Sequence, residues 1–321
     1  MMTFRFSAAE VAVLLAGFGA GAAMAQAKYP HATVTLVTHS SAGGGSDVFL
    51  RALAKHLGPK MGVNFVVENV TGGSGARAVA KVAQSPADGS VFYATTPTYI
   101  QTTLLSKPEF GYESLAPVVR VFLDPEVVYT RAQNPHANLA AAVREAKASG
   151  GKARWGAANP ASLERIALVK LNKITDARAV VVSHEGGGDL MINVLNSTLD
   201  FGVGEVQEIR AQLEAKQVRI LAVLTDQRLP DFPNVATAKE QGLDLSITKF
   251  RGLAGPKNIP AATLKAMEDG IAAVLADPAY QKEFARESLM PALMRHEEAA
   301  RFTASFATDV AATLKELGVV K

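Results

Sequence analysis

Short β-branched runs alternate with amphipathic stretches along most of this chain, and that alternation narrows its possible folds more than any other feature. Val34–Val37, Asn64–Val67 and Val91–Ala94 read as strands, with Asp47 to Leu57 and Gly75 to Ala83 as the helices between them. Phe49, Leu53 and Leu57 recur at every fourth position, with Arg51 and Lys55 on another face. Gly58-Pro59 predicts the end of that helix, and Pro86-Ala87-Asp88-Gly89 a turn. A βαβαβ order of this kind predicts a parallel sheet covered by helices. The pattern then restarts. Val127–Tyr129, Arg154–Gly156, Val180–Val182, Leu199–Val203 and Arg219–Leu224 read as strands, interleaved with helices at Leu139–Ala148, Ser162–Leu171, Leu190–Leu195 and Val206–Leu213. Two α/β units therefore stand in tandem, with crossings expected near Leu123-Asp124-Pro125 and Leu245–Phe250. The tail reads as helices Ala261–Leu275, Pro278–Glu287 and Glu297–Leu317, whose apolar stripes are expected to pack back on the first unit.

The 321 residues, 48% hydrophobic and 20% charged, suffice for about two domains with full cores. A formal charge of +3, with no block of five like charges, argues against a nucleic-acid track. The absence of cysteine excludes disulfides, thiolate metal sites and a cysteine nucleophile. Arg5, the apolar run Val11 to Ala23 and the small-x-small site Ala23-Met24-Ala25 predict an export signal cleaved after Ala25. No later run is long enough for a membrane helix, so the mature chain is expected to be soluble in the periplasm.

Three glycine-rich loops each follow an expected strand and open an expected helix: Ser40-Ser41-Ala42-Gly43-Gly44-Gly45-Ser46-Asp47, Asn69-Val70-Thr71-Gly72-Gly73-Ser74-Gly75 and Glu185-Gly186-Gly187-Gly188-Asp189. Asn159 and Ser162 lie in a fourth loop of the same kind, and Thr96 follows the third strand. Glycine lets backbone approach a ligand, and a helix N-terminus offers unpaired N–H groups with a partial positive charge. The combination makes an anion seat that needs no Arg or Lys, at the carboxyl ends of the strands. The plainer alternative for each loop is a turn with an N-cap, for which Ser46 or Asp47, Ser74, Asp189 and Ser162 are suitable.

Enzymatic alternatives find little support. Gly73-Ser74-Gly75-Ala76-Arg77-Ala78 spells a dinucleotide fingerprint, but in the second loop, and no acidic residue ends a strand about 20 residues later. There is no P-loop, no nucleophile elbow and no metal-spaced histidine pair among the six histidines. No catalytic residue, cofactor or metal is therefore assigned. His39 and His184 flank glycine loops as pocket hydrogen-bonders or as plain loop residues. Glu205, at a strand end, either faces the cleft, where it would attract a ligand cation or hold Arg251, or, with Glu208, simply complements a helix dipole. Trp155 reads as core before it reads as a stacking ring.

These stretches in order resemble the periplasmic solute-binding receptors of tripartite tricarboxylate transporters, the TctC or Bug type. The resemblance rests on Ala42–Asp47 with Arg51, Val67-Glu68-Asn69 with Gly72–Gly75, Ala87-Asp88-Gly89, Arg219–Val223 with Arg228, Lys239–Gly242 and Gly252–Pro256. It implies an α/β clamshell of two Rossmann-like lobes joined by a hinge, the Venus-flytrap type. Lobe 1 would comprise residues 26–123 plus 246–321, and lobe 2 residues 124–245. The implied function is to bind a small organic carboxylate between the lobes and deliver it to membrane permease subunits, without catalysis, as a monomer. An input protein for a membrane sensor kinase is the alternative. The expected ligand set is Ser40, Ser41, Gly43, Gly44, Gly45, Ser46, Asp47, Gly72, Gly73, Ser74, Thr96, Asn159, Ser162, Glu185, Gly186, Gly187 and Glu205. A plain dicarboxylate is the first expectation. An amino- or hydroxy-bearing carboxylate is the second, since Glu185 and Glu205 could accept from such a group.

Overall fold

The computed structural model describes residues 29–320; the expected export signal and its cleavage site lie outside them. The elements follow in the order β1 (Thr33–Thr38), α1 (Gly45–Met61), β2 (Asn64–Asn69), α2 (Ala76–Ala83), β3 (Val91–Thr95), α3 (Pro97–Ser106) and β4 (Leu115–Arg131). Next come α4 (Leu139–Ala148), β5 (Arg154–Ala157), α5 (Leu163–Thr175), β6 (Val180–Ser183), α6 (Gly187–Leu195), β7 (Phe201–Glu205), α7 (Val206–Glu214) and β8 (Val218–Val223). The chain closes with β9 (Thr248–Pro256), α8 (Ala261–Leu275), α9 (Pro278–Arg286), β10 (Met290–Met294) and α10 (His296–Glu316).

Among the described residues the strands join in one ten-stranded sheet, ordered β2-β1-β3-β9-β4-β7-β5-β6, with β8 and β10 also paired to β4. β1 runs parallel to β2 and β3, and β5 parallel to β6 and β7, as the βαβ order requires. The two parallel groups are welded by antiparallel β4 and β9. β4 pairs with β9 from Leu115 to Pro125, then with β7 and β8 from Glu126 onward. The cores divide at the same point. Two clusters draw only on residues up to 123 and from 250 onward; two others draw only on residues 127 to 247.

Several elements depart from the periodicity. Gly58-Pro59 does not end α1, which continues to Met61. Pro59 withholds one N–H, but Leu57 is fully buried and Gly62, at φ 65°, closes the last turn with its N–H on the Gly58 carbonyl. Helix α3 lacks a readable stripe because Pro97 through Thr102 are all buried. β4 extends far beyond Val127–Tyr129; Pro117 and Pro125 and the charges of Asp124 and Glu126 mask it. β9 is hidden by its glycines. A Cβ at Gly252 would lie 2.1 Å from the Val119 carbonyl oxygen, so glycine there permits the β4–β9 approach.

The tail covers the first group of strands. Gly270 of α8 sits against Met61 of α1, and Phe302 and Phe306 of α10 meet Phe250 edge-on at 5.1 and 5.2 Å. Beneath α9, Phe122 of β4 contacts Phe49, Tyr280 and Phe284, with centroids 6.2, 6.0 and 5.1 Å away. Phe122 is fully buried and ties β4 to α1 and α9. Phe122→Ala should therefore cost about 3–5 kcal/mol of unfolding free energy, read by urea denaturation.

Candidate functional site

The first glycine loop turns from β1 into α1. Gly44 is the N-cap and makes no side-chain cap. Asp47, in the first turn, braces the loop from behind: its carboxylate accepts from Gly43 N–H at 3.0 Å, Arg51 Nε at 3.0 Å and Asn69 Nδ2 at 3.0 Å. Burial alone would raise the Asp47 pKa, but these donors hold it below the usual carboxylate range. In the second loop Gly72, Gly73, Ser74 and Gly75 all have positive φ, from 52° to 112°. This left-handed run seats Gly75 against His39, where a Cβ would be 3.1 Å from the imidazole Cβ.

The third loop needs glycine for space. A Cβ on Gly186 would lie 2.5 Å from Ser41 Oγ, and one on Gly188 would lie 2.6 Å from the Ala42 carbonyl oxygen. The loop before α6 thus packs directly on the loop before α1, although they belong to different strand groups. Of the four anticipated caps, only Ser162 acts as one, accepting from Arg165 N–H at 3.2 Å. Glycine caps α1, α2 and α6 without a side-chain acceptor.

Between these loops lies a cleft of about 20 Å³, lined by residues of both strand groups. A buried ion network floors it. Arg251 donates through Nε to Asp124 at 2.7 Å, through Nη1 to Ser46 Oγ at 2.7 Å, and through Nη2 to Glu205. Lys249 Nζ reaches Glu164 at 2.6 Å, Glu126 at 3.2 Å, and Glu205. Gln207 Nε2 also donates to Asp124, at 2.7 Å. Glu205 therefore holds Arg251, one of the roles the sequence offered for it, and holds Lys249 as well. The site is not the chargeless cradle expected, because β4 and β9 carry their charged pairs into its floor.

The environment separates the acids. Burial opposes ionisation of Glu205, but Lys249 and Arg251 pull its pKa well below the carboxylate range. Burial and the neighbouring Glu205 push Glu208 well up. The two cations thus favour the ionised form of Glu205, whereas burial and the charge of Glu205 oppose ionisation of Glu208. Burial, with Lys249 and Arg251, drives His39 down to about 3, so it is neutral; its Nδ1 meets Tyr93 Oη at 2.8 Å. Carboxylate oxygens of Glu126, Glu164 and Glu205 lie close enough together to suggest a cation site. The Lys249 ammonium already serves all three, so the cluster is a salt-bridge hub.

Among the residues singled out from sequence, Ser40, Gly45, Ser46, Thr96, Asn159, Glu185, Gly186, Gly187 and Glu205 line the cleft. Ser41, Gly43, Gly44, Asp47, Gly72, Gly73, Ser74 and Ser162 do not line it; Ser41 and Asp47 support its walls. Trp155 is buried and stacks on Phe201 at 5.0 Å in the core. His184 does not line the cleft, whereas His39 does. Lys249, Asp124, Glu126 and Glu164 were not among the expected site residues. A signal existed: Lys249 with Arg251, and Asp124 with Glu126, are spaced by two, which puts each pair on one face of a strand.

A family model described as "Tripartite tricarboxylate transporter family receptor" matches residues 49–319. Protein BugT of Bordetella pertussis is 23% identical over 316 residues, covering 97% of both chains. An Agrobacterium vitis protein from the TAR-I ttuE-ttuC' intergenic region is 25% identical over 275 residues, covering 84% of this chain and 79% of the relative. The periplasmic binding protein BugD superposes with a TM-score of 0.85 at 22% identity, covering 91% of this chain and 99% of BugD. R. palustris Rpa4515, solved with adipate, gives 0.85 at 22% identity over 90% of this chain and 98% of its own. MatC of Rhodopseudomonas palustris, solved with malate, gives 0.81 at 19% identity over 90% and 99%. These likenesses establish the fold as that of periplasmic binding proteins.

Asp124 makes a contribution to stability whose pH dependence has a defined direction. Burial, opposed by Arg251, raises Asp124 to about 6, above the value of about 4 in an unfolded chain. Between those values the folded state binds more protons, so this contribution is greatest below about pH 4 and declines as pH rises to about 6. Comparing urea unfolding of the wild type and Asp124→Asn across that range should show a decline on the order of 1–3 kcal/mol that the variant lacks. Parallel curves would refute the assignment.

Proposed function

The chain belongs to the tripartite tricarboxylate transporter receptor family, whose members are periplasmic receptors rather than enzymes, and on that premise we propose that it traps a small organic carboxylate and delivers it to the membrane permease of such a transporter. The mature protein begins after Ala25 and acts in the periplasm as a monomer. No helix among the described residues is long and apolar enough to cross a membrane. Lobe 1 comprises residues 26–123 and 246–321, and lobe 2 residues 124–245. Closure bends β4 and β9 where they pass between strand groups, near Asp124-Pro125 and Thr248-Lys249.

One observation carries this reading. The α1 N-terminus, left without a side-chain cap, points its Gly45 N–H into the cleft and donates to a carboxyl group that approaches from the opposite strand group. The helix dipole and an N–H that no side chain of its own loop caps together favour an anion there. Each such charge-assisted bond contributes roughly 1.5–3 kcal/mol, so a few support micromolar affinity after ordering costs. The adipate and malate carried by Rpa4515 and MatC support a dicarboxylate as the first ligand class to examine. Ligand touching both lobes would favour the shut form.

Thermal-shift screening of the mature protein against four- to six-carbon dicarboxylates, with hydroxy and amino analogues, tests the proposal. A ligand at a hundred times its dissociation constant should add about 2.7 kcal/mol of stability, and no product should form on prolonged incubation. Gly186→Val places branched carbon against Ser41, in an extended backbone that tolerates valine. It should abolish the ligand-induced shift and, because its Cβ would also lie 2.9 Å from the Ser41 backbone nitrogen, lower ligand-free stability by about 1–3 kcal/mol, read separately in the same melts. A variant that binds as tightly as wild type counts against ligand capture between these loops.

A further inference from the structure

The carboxyl group at Gly45 belongs to Glu208, in the first turn of α7. We propose that Glu208 is an intramolecular competitor that sets carboxylate affinity, filling the α1 seat with the chain's own carboxyl until a ligand displaces it. This deepens the carboxylate-trap reading above and rests on it.

The geometry is built for that group. Glu208 Oε1 accepts from Gly45 N–H at 2.6 Å, across the boundary between the strand groups. On its own side, the carboxyl lies over two positions where only glycine leaves room. A Cβ on Gly187 would be 2.1 Å from Oε1, and a Cβ on Gly204 would be 2.6 Å from Oε2. The carboxyl is therefore wedged between the N-termini of α1 and α6, where two uncapped helices of different strand groups converge. Its Oε2 is buried, with no N–H donor in reach, and leans on Glu205, which Arg251 and Lys249 hold in place. The Glu208 carboxyl lines the cleft, whose volume is about 20 Å³, and occupies the place at Gly45 N–H that a ligand carboxylate would take. The Glu208 contact both latches the two strand groups together and multiplies the apparent affinity for any carboxylate by the fraction of molecules in which the seat is free of Glu208.

Two variants break the latch differently. Glu208→Ala removes the carboxyl. Gly187→Ala keeps it but drives it off Gly45, at a helix start where alanine is well accepted. Glu208→Gln retains a carbonyl oxygen for Gly45 N–H and serves as the conservative rescue. Small-angle scattering of the ligand-free mature proteins should give a larger radius of gyration for Glu208→Ala and Gly187→Ala, and a wild-type value for Glu208→Gln. Calorimetry with malate and adipate should show Glu208→Ala binding the accepted acid about tenfold or more tightly than wild type. Glu208→Ala or Gly187→Ala as compact as wild type would overturn the latch, whatever binds. An opened Glu208→Ala with unchanged or weaker affinity would overturn the competitor role. Opening of both variants with no organic acid bound by any protein would support the latch and instead defeat the carboxylate reading of the cleft.

Discussion

Two cations on one strand hold the two halves of this sheet in register. Lys249 and Arg251 lie on β9 at the boundary between the strand groups and are met there by Asp124 and Glu126 of β4, then by Glu164 and Glu205 from the second strand group. All six side chains are almost fully buried. A buried charge left without a partner costs several kcal/mol, so no one member can be removed without stranding the rest. Such a network adds little net stability compared with a packed apolar floor. Its effect is geometric: it fixes where β4 leaves β9 for β7, and so how the helix N-termini of the two groups face each other.

That facing arrangement is where backbone chemistry takes over. Helices α1 and α6 start on glycine, with N–H groups that no side chain of their own loop satisfies. Helices α3, α4, α5 and α9 carry Thr96, Asn138, Ser162 and Asp277 as side-chain caps. Of the uncapped starts, those of α1 and α6 meet across the cleft. Gly186 and Gly188 let the second-group loop rest on Ser41 and Ala42, and Glu208 answers the free Gly45 N–H. Ion network and glycine loops are thus two layers of one device, the first positioning the halves and the second presenting donors between them.

Much of this could be read from residues alone where the signal was local. The βαβ units are legible because a strand buried on two faces and a helix buried on one leave different apolar periods in Val34–Val37 and Phe49–Leu57. The glycine loops are legible because glycine clusters are costly except where backbone must turn or be approached. The long β4 and β9 were not. Their prolines, glycines and charges satisfy rules of the pair, not of either strand, and the compensating charge for Asp124 lies 127 residues away on Arg251. The same distance argument hides Glu208, which shows an ordinary first-turn glutamate in sequence and meets Gly45, 163 positions away, only in the folded chain.

Neighbours within a few turns of one another suffice to specify a mixed α/β chain with tandem units, glycine-opened helices and the ordered stretches that mark its receptor family, so these are legible residue by residue. Only the assembled fold brings the two sets of loop ends face to face, surrounds Glu205 with cations while setting Glu208 beside it, and places the chain's own carboxyl at the start of α1. Those outcomes depend on burial and on fields from groups far apart along the chain, and neither exists before the sheet is assembled.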